Sequence, residues 1–382
     1  MKRKSIIALL LAFVCVFALV GCGGGDKDTD KPAGGGDADT TKAYNLGVNA
    51  WGTAPVLQMY ADEVEYSVKS LGLTDTRASD DNDADKELAN IQNFISQGVD
   101  GLVIQGYGAT TIPQMGQEAL GAKTPFVLAL ATGTEEVRAE LEANNEYYAG
   151  AVASDLKADG GILGEAAIAD GAKTAVIIGG NLGDLNMDYR AEGFTTAFEA
   201  GGGKVLDSAR CTDNSEAQAK ASTLLGANKD ADAVYILVGD YVEGTFSAIE
   251  QYGLTDIKCY LSAINAGSAD FVRSGQISAG SGGTALAADV APALLLNMLD
   301  GKALKNADNV APFVQVPTSL ITKDNVDAYV EVFFNEANPY PVPAETIQKL
   351  AYRFNPDVTY DSFLETIKND FTVDAILKAA GK

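Results

Sequence analysis

Asp85–Gly108 reads DKELANIQNFISQGVDGLVIQGYG and contains one complete α–β step. Leu88, Ile91, Phe94 and Ile95 recur at helical spacing and predict one apolar helix face. Gly98 follows as the residue that ends such a helix. Leu102, Val103 and Ile104 then form a short unbroken apolar run, the pattern of a strand covered on both faces. Beyond it Gln105 and Tyr107 alternate with Gly106 and Gly108, a polar group and an aromatic in a glycine loop suited to holding a small molecule. The same step returns at Glu216–Asp240, where a helix over Glu216–Ala227 leads into the strand AVYILVG, Ala233–Gly239.

Outward from these steps the chain resolves into two similar units. The first has strands at Tyr44–Ala50, Leu73–Ser79, Leu102–Ile104 and Thr124–Leu128, with helices at Pro55–Ser70, in the opening stretch and at Thr111–Leu120. The second restarts at Thr174–Gly180 and continues through a helix at Tyr189–Ala200, strands at Val205–Cys211 and Ala233–Gly239, a helix at Glu243–Gln251 and a strand at Ile257–Ala263. GVNAWG pairs with VIIGGNLG, VDGLVIQGYG with ADAVYILVGD, and TPFVLALATG with the stretch from Ile257 to Gly267. Alternating β and α elements predict doubly wound parallel sheets, so the fold class is α/β with two lobes. Ligands of such sheets bind outside the carboxyl ends of the strands, and two lobes facing each other make a cleft. Gln276–Gly282 adds a strand, and the apolar helix Leu286–Leu299 can return to the first lobe, so repeated crossings make a hinge.

The strand order carries a prediction about the cysteines. In the order 2-1-3-4-5, two strands separate Val205–Cys211 from Ile257–Ala263, a distance of roughly 14 Å at ~4.8 Å per strand. A disulfide needs Cα atoms within about 7 Å. Cys211 and Cys259 are therefore expected as free, buried thiols.

The N-terminus carries an address. Lys2, Arg3 and Lys4 precede the apolar stretch Ile6–Val20, too short to span a bilayer and suited to a signal peptide. Leu19-Val20-Gly21-Cys22 resembles the lipobox of bacterial lipoproteins, which implies cleavage before Cys22 and lipidation of its sulfur. Gly23–Lys42 reads as a flexible tether, reaching roughly 25 Å as a coil. Loss of the three basic signal residues takes the formal charge from −24 to −27. So acidic a surface repels nucleic acid. The 382 residues include no histidine, which excludes Ser-His-Asp and Cys-His catalysis and histidine metal sites.

Three motifs are set aside. Gly116–Thr124 imitates a phosphate loop, but Ala122 separates Gly121 from Lys123. Asp81, Asp83 and Asp85 have the first spacings of a calcium loop, but Lys86 stands where glycine is needed and Gln92 where a bidentate glutamate is needed. Gly179–Gly183 lacks the dinucleotide spacing.

DDNDADKELANIQNFISQGVDGLVI, AVASDLKADGGILGE, DYRAEGFTTAFEA and FVRSGQISAG followed by an apolar helix occur in that order. Over roughly Tyr44–Ile321 the chain resembles the ribose/galactose-binding family of ABC-transporter substrate-binding lipoproteins, with the type I periplasmic-binding-protein fold. The resemblance implies an extracytoplasmic, Cys22-anchored monomer that closes its lobes on a sugar or sugar-like solute and delivers it to a permease, with no catalysis, cofactor or metal. It implies Arg190 as a forked donor to sugar hydroxyls, Asp155, Asp240 and Asn265 as further polar contacts, and Trp51 stacked on the ring; Gln105 and Tyr107, read from the strand end itself, are the candidates the resemblance fixes least. On this reading Arg190→Ala abolishes binding and leaves the unliganded melt almost unchanged. The family's aspartate-arginine pair is replaced by Leu130-Ala131-Thr132, and a glutamine by Gly283, which removes about three hydrogen-bonding groups and leaves the sugar open. Residues 1–21 read as signal, 22–42 as tether, 43–154 with 284–312 as the N-terminal lobe, and 155–283 with 313–382 as the C-terminal lobe. The extension after Ile321 is expected along the second lobe. Two alternatives stay open: a nucleoside or signalling-molecule receptor of a sensor system, and an anchored glycosidase using Asp155 and Asp240.

Overall fold

The computed structural model describes residues 42–52, 55–106, 110–181 and 183–382; Cys22, with all of residues 1–41, and Tyr107 lie outside them. The first lobe runs β1 (Asn45–Ala50), α1 (Pro55–Ser70), β2 (Thr74–Ser79), α2 (Ala84–Gln97), β3 (Gly101–Gln105), α3 (Ile112–Ala122), β4 (Phe126–Ala129), α4 (Glu135–Asn144) and β5 (Tyr148–Ser154). The opening stretch is formed as its residues dictate. Asp83 caps α2 by accepting from the Lys86 N–H, and Gly98 ends it at φ 74°, a left-handed conformation that costs glycine little. In β3 the two faces part cleanly: Val103 joins the core under α1, while Leu102 and Ile104 join the core under α2 and α3. Gly47 of β1 has no side chain, and Phe94 of α2 fills that place; a Cβ there would lie 2.7 Å from the Phe94 ring.

The second lobe runs α5 (Leu156–Ala169), β6 (Thr174–Ile178), α6 (Leu185–Ala200), β7 (Lys204–Ala209), α7 (Asn214–Ala227), β8 (Ala233–Ile236), α8 (Val242–Tyr252), β9 (Lys258–Leu261), α9 (Ala269–Ser274) and β10 (Ala279–Gly282). The chain then continues through α10 (Leu286–Leu299), β11 (Phe313–Val316), β12 (Ser319–Ile321), α11 (Val326–Phe333), α12 (Ala344–Gln348), α13 (Tyr360–Asp370) and α14 (Val373–Ala379). The two sheets have matching orders, β11-β5-β4-β3-β1-β2 and β12-β10-β9-β8-β6-β7. Their strand pairs are parallel except β10 with β12. The α/β, two-sheet reading of the sequence is the architecture found.

The extension departs from expectation. The sequence places 313–382 in the second lobe, but β11, ahead of the extension, pairs with β5 in the first sheet, and Val342, Ile347, Leu350, Ala351, Phe363, Ile367 and Phe371 of the extension enter the core of α1 and α10. The cause lies in α10. Twelve of its fourteen residues are buried, and a helix apolar all round must be covered on every side. The first sheet and α1 cover one side, and the extension covers the rest. Only α11 and α14 reach the second lobe, through Val326, Tyr329, Val373 and Leu377. The chain thus crosses between lobes at Ser154–Leu156, at Gly282–Leu286 and at Val316–Ser319, and the extension crosses again.

β6 and β8 lie between β7 and β9, and Cys211 and Cys259 are free and buried, as the strand order predicts. Burial pushes the Cys211 thiol up to about 11 and the Cys259 thiol up to about 12. The native protein at pH 8 should therefore resist a thiol reagent at both positions, and denaturation without reductant should expose both. Peptide mass spectrometry checks this; a linked Cys211–Cys259 peptide would contradict the sheet order.

Candidate functional site

The site is built where the strands of both sheets end. In the second lobe, α5 and α6 approach until their backbones touch. A Cβ on Gly160 would collide with the Arg190 carbonyl oxygen, and one on Gly193 with that of Lys157. This contact sets Arg190 opposite Asp159, the residue before Gly160. Both side chains are buried, at 6 % and 0 % exposure, and Arg190 Nε donates to Asp159 Oδ2 at 3.1 Å. The same oxygen accepts from Ser262 Oγ at 2.6 Å, and Ser262 shares a 2.6 Å hydrogen bond with Tyr235 Oη. Arg190 Nη1 donates to the Leu237 carbonyl just past β8 at 3.3 Å. Burial works against the guanidinium charge, but Asp159, with Tyr235 and Tyr60, holds its pKa above the ordinary value. Nη2 has no protein partner among the described residues.

In the first lobe a polar network closes the ends of β1, β2 and β3. Asn49 Nδ2 donates to Asp80 Oδ2 at 2.9 Å and to the Gln105 carbonyl at 3.3 Å, and Asn90 Nδ2 donates to Asn49 Oδ1 at 2.9 Å. Burial raises the Asp80 carboxyl against the opposing hydrogen bonds from Asn49 and Asn82. By strand alternation Gln105 shares the face of Val103. Its side chain is 1 % exposed, and neither amide atom has a protein partner among the described residues. Leaving a buried donor or acceptor unmade costs about 1–3 kcal/mol each.

The lobes meet at the hinge. Tyr60 of α1 donates to the Thr284 carbonyl at 2.6 Å, Ser154 Oγ donates to the same oxygen at 2.7 Å, and the Gly283 N–H donates to Tyr329 Oη at 3.2 Å. Tyr60 feels the charges of both Arg190 and Asp159, so this pair lies near the hinge.

The residues singled out in the sequence divide accordingly. Arg190, expected as a fork free to bind hydroxyls, is buried with its Nε committed to Asp159 and its Nη1 to the Leu237 carbonyl. Asp155 caps α5 by accepting from the Ala158 N–H at 3.0 Å. Asp240 is exposed in a single 3-10 turn, Gly239–Tyr241. Asn265 Oδ1 accepts from the Ser268 N–H at 2.9 Å, and its Nδ2 lies beside Gly239, where a Cβ would be 2.8 Å away, so Asn265 and the Asp240 turn are brought together. Trp51 follows β1 and is half-buried. Asn49, Asp80, Asn90, Asp159 and Ser262 were not singled out. The two fourth-strand ends also share a feature: Leu130 and Ala263, equivalent when the sequences TPFVLALATG and IKCYLSAINAG are paired, both adopt positive φ, 64° and 56°. Such strain costs of order 1–3 kcal/mol and clusters at binding sites.

Arg190→Ala should destabilise the unliganded protein by about 3–5 kcal/mol, because it strands a buried carboxylate. The paired change Arg190→Met with Asp159→Leu should recover most of that loss. Urea unfolding checks both, and an unchanged Arg190→Ala midpoint would restore the sequence expectation.

The family model described as periplasmic binding protein domain matches residues 49–303. No curated protein sequence matches the chain. Similar solved structures include an ABC transporter solute binding protein from Mycobacterium smegmatis with bound glycerol, at 20% identity, TM-score 0.64 and coverage of 75% of this chain and 96% of that one. Another, from Bacillus halodurans with bound myo-inositol, is 18% identical, with TM-score 0.64 and coverage of 77% and 99%. A third, an ABC transporter periplasmic solute binding protein from Actinobacillus succinogenes with bound D-allose, is 16% identical, with TM-score 0.65 and coverage of 75% and 100%. At these identities the likeness speaks to the fold, which is that of type I periplasmic binding proteins. The family match spans both lobes and their first two crossings, and the chain belongs to the periplasmic binding protein domain family.

Proposed function

We propose that this chain is the extracytoplasmic solute-binding protein of an ABC importer, and that it closes its lobes on a neutral, polyhydroxylated solute such as a sugar or polyol. The observation that carries the reading is the buried amide of Gln105 on one lobe, which has no hydrogen-bond partner among the described residues. Arg190 on the other lobe keeps its Nη2 available among the described residues. An amide with both a donor and an acceptor to fill suits a hydroxyl, which is both. Each lobe offers such groups, so a ligand touching both favours the closed state. The glycerol, myo-inositol and D-allose in the similar structures have this chemistry.

Charge narrows the ligand further. Asp159 already neutralises Arg190 inside the fold. Around the second-lobe strand ends, Asp155, Asp184 and Asp240 are carboxylates, the Arg210 cation is paired with Asp188, and the half-buried Trp51 follows β1 in the first lobe. Anionic sugars are therefore disfavoured relative to neutral ones. Asp155 is spent as a helix cap, which argues against pairing it with Asp240 for glycoside hydrolysis. On the same reading Cys22 carries the lipid anchor, the protein acts as a monomer without cofactor or metal, and a permease receives the solute.

A thermal-shift screen of neutral sugars, polyols, sugar acids and nucleosides tests this. A ligand at 100-fold its Kd should stabilise by ~2.7 kcal/mol. Neutral polyols or sugars should shift the melt and sugar acids should not; a response to nucleosides alone would replace the sugar reading. Gln105→Leu should leave the unliganded melt unchanged or raised and weaken the ligand about tenfold, as loss of ~1.4 kcal/mol does.

A further inference from the structure

Behind the hinge lies a pair of groups that ligand binding does not use. α1 and α10 pack side by side on the same face of the first sheet, and Glu63 of α1 meets Asp289 of α10 there, at 4 % and 0 % exposure. Ser67, one turn on from Glu63, reaches the Asp289 backbone, and the two carboxyls act on each other across this helix contact. Among the described residues, no N–H or O–H donor outside the pair reaches Glu63 Oε2 or either carboxylate oxygen of Asp289.

Among the described residues, nothing around the pair supplies a compensating cation. On α1, Asp62 adds negative potential to Glu63, and Tyr66 is neutral with its hydroxyl donated to the Val342 carbonyl. Glu65, Lys69 and Arg77 of β2 pair among themselves and with Asp62. On α10 the next charged residue is Asp300 beyond its far end, held by Arg353. From the extension, Glu345 of α12 acts on Tyr66, while Lys349 pairs with Asp370. The strands beneath present Val103, Val127, Val152 and Val314. Two carboxylates cannot both ionise in such a site, whereas one proton between them makes one a donor and the other an acceptor.

The pair is tied to the hinge by helical spacing. Tyr60, which holds Thr284, is one turn before Glu63, and Asp289 is about one turn beyond Thr284. Ser67 Oγ, one turn on from Glu63, donates to the Asp289 carbonyl at 2.7 Å. α12, beyond the stretch matched by the family model, packs against both helices. We propose that Glu63 and Asp289 hold one proton between them as a latch joining α1 to α10, so that raising the pH ionises the pair and loosens the hinge.

Burial raises both carboxyls, Glu63 to about 8 and Asp289 well above its ordinary value. In the unfolded chain both ionise at ordinary carboxylate pKa values, near 4. The latch's contribution is thus complete below about pH 4 and is lost as pH rises through the folded value. Folding then takes up one proton across that window, and the folding constant falls up to tenfold per pH unit.

The full chain, Glu63→Gln and Asp289→Asn are compared by urea unfolding from pH 5 to 8.5, with amide protection factors for residues 284–289. The ratio of wild-type to variant folding constants should fall up to tenfold per pH unit, and protection at 284–289 should drop above pH 8 in the wild type alone. Parallel pH curves would overturn the shared proton, and unchanged protection while the pair titrates would overturn the latch. If neither variant folds, carbon-13 titration of the wild-type carboxyls decides: a Glu or Asp resonance titrating near pH 8 supports the pair, and none above pH 6.5 overturns it.

Discussion

The contact between α5 and α6 is the constraint on which the binding lobe depends. Gly160 and Gly164 of α5 meet the backbone of α6, and Gly193 of α6 meets that of α5, leaving no space for side chains between the helices. This proximity places the Arg190 guanidinium on the Asp159 carboxylate and orders Ser262 and Tyr235 behind it. A buried pair of this kind adds little net stability, since desolvation offsets its attraction. Its value here is positional: it fixes the Arg190 guanidinium beside the strand ends and cancels its charge inside the fold. Tyr235, stacked 4.4 Å from Phe194 of α6, carries the same packing into the sheet.

The second constraint is the burial of α10. A helix leaving the second lobe and buried on every side in the first cannot be finished by the family core alone. The extension completes it and in doing so ties the lobes together again: Tyr66 stacks on Tyr340 at 4.3 Å, Asn297 donates to the Leu350 carbonyl at 2.9 Å, and Tyr329 and Val373 touch the hinge glycine Gly283. Hinge closure here works within more crossings than the three that join the lobes before α11. The extension also helps enclose the ground where Glu63 meets Asp289, so one feature accounts for both the restraint and the buried carboxyls.

Much of this was legible in the chain. Helix spacing, a capping aspartate, a terminating glycine and an apolar run were enough to draw α2 and β3, and the paired units gave the sheet order that separates Cys211 from Cys259. What could not be read was which apolar surface the last sixty or so residues would cover, because hydrophobic residues carry no address; the all-round apolarity of α10 was the available clue. Nor was the partner of Arg190 read. ASDLKADGG drew attention to Asp155, which caps a helix, while Asp159 beside Gly160 is the residue that a close helix contact buries. The Asn49–Asp80–Asn90 network is formed from residues distant in sequence, and short polar strand endings gave no periodic signal for it.

Closure of the two lobes on a neutral polyhydroxylated solute is the central claim, and an inter-lobe distance measures it most directly. Spin labels at Asp85 and Glu243, both exposed and each near the strand ends of its own lobe, report the width of the cleft. With a sugar or polyol that stabilises the protein, the distance distribution should shorten and narrow. An unchanged distribution at saturating ligand would contradict the account.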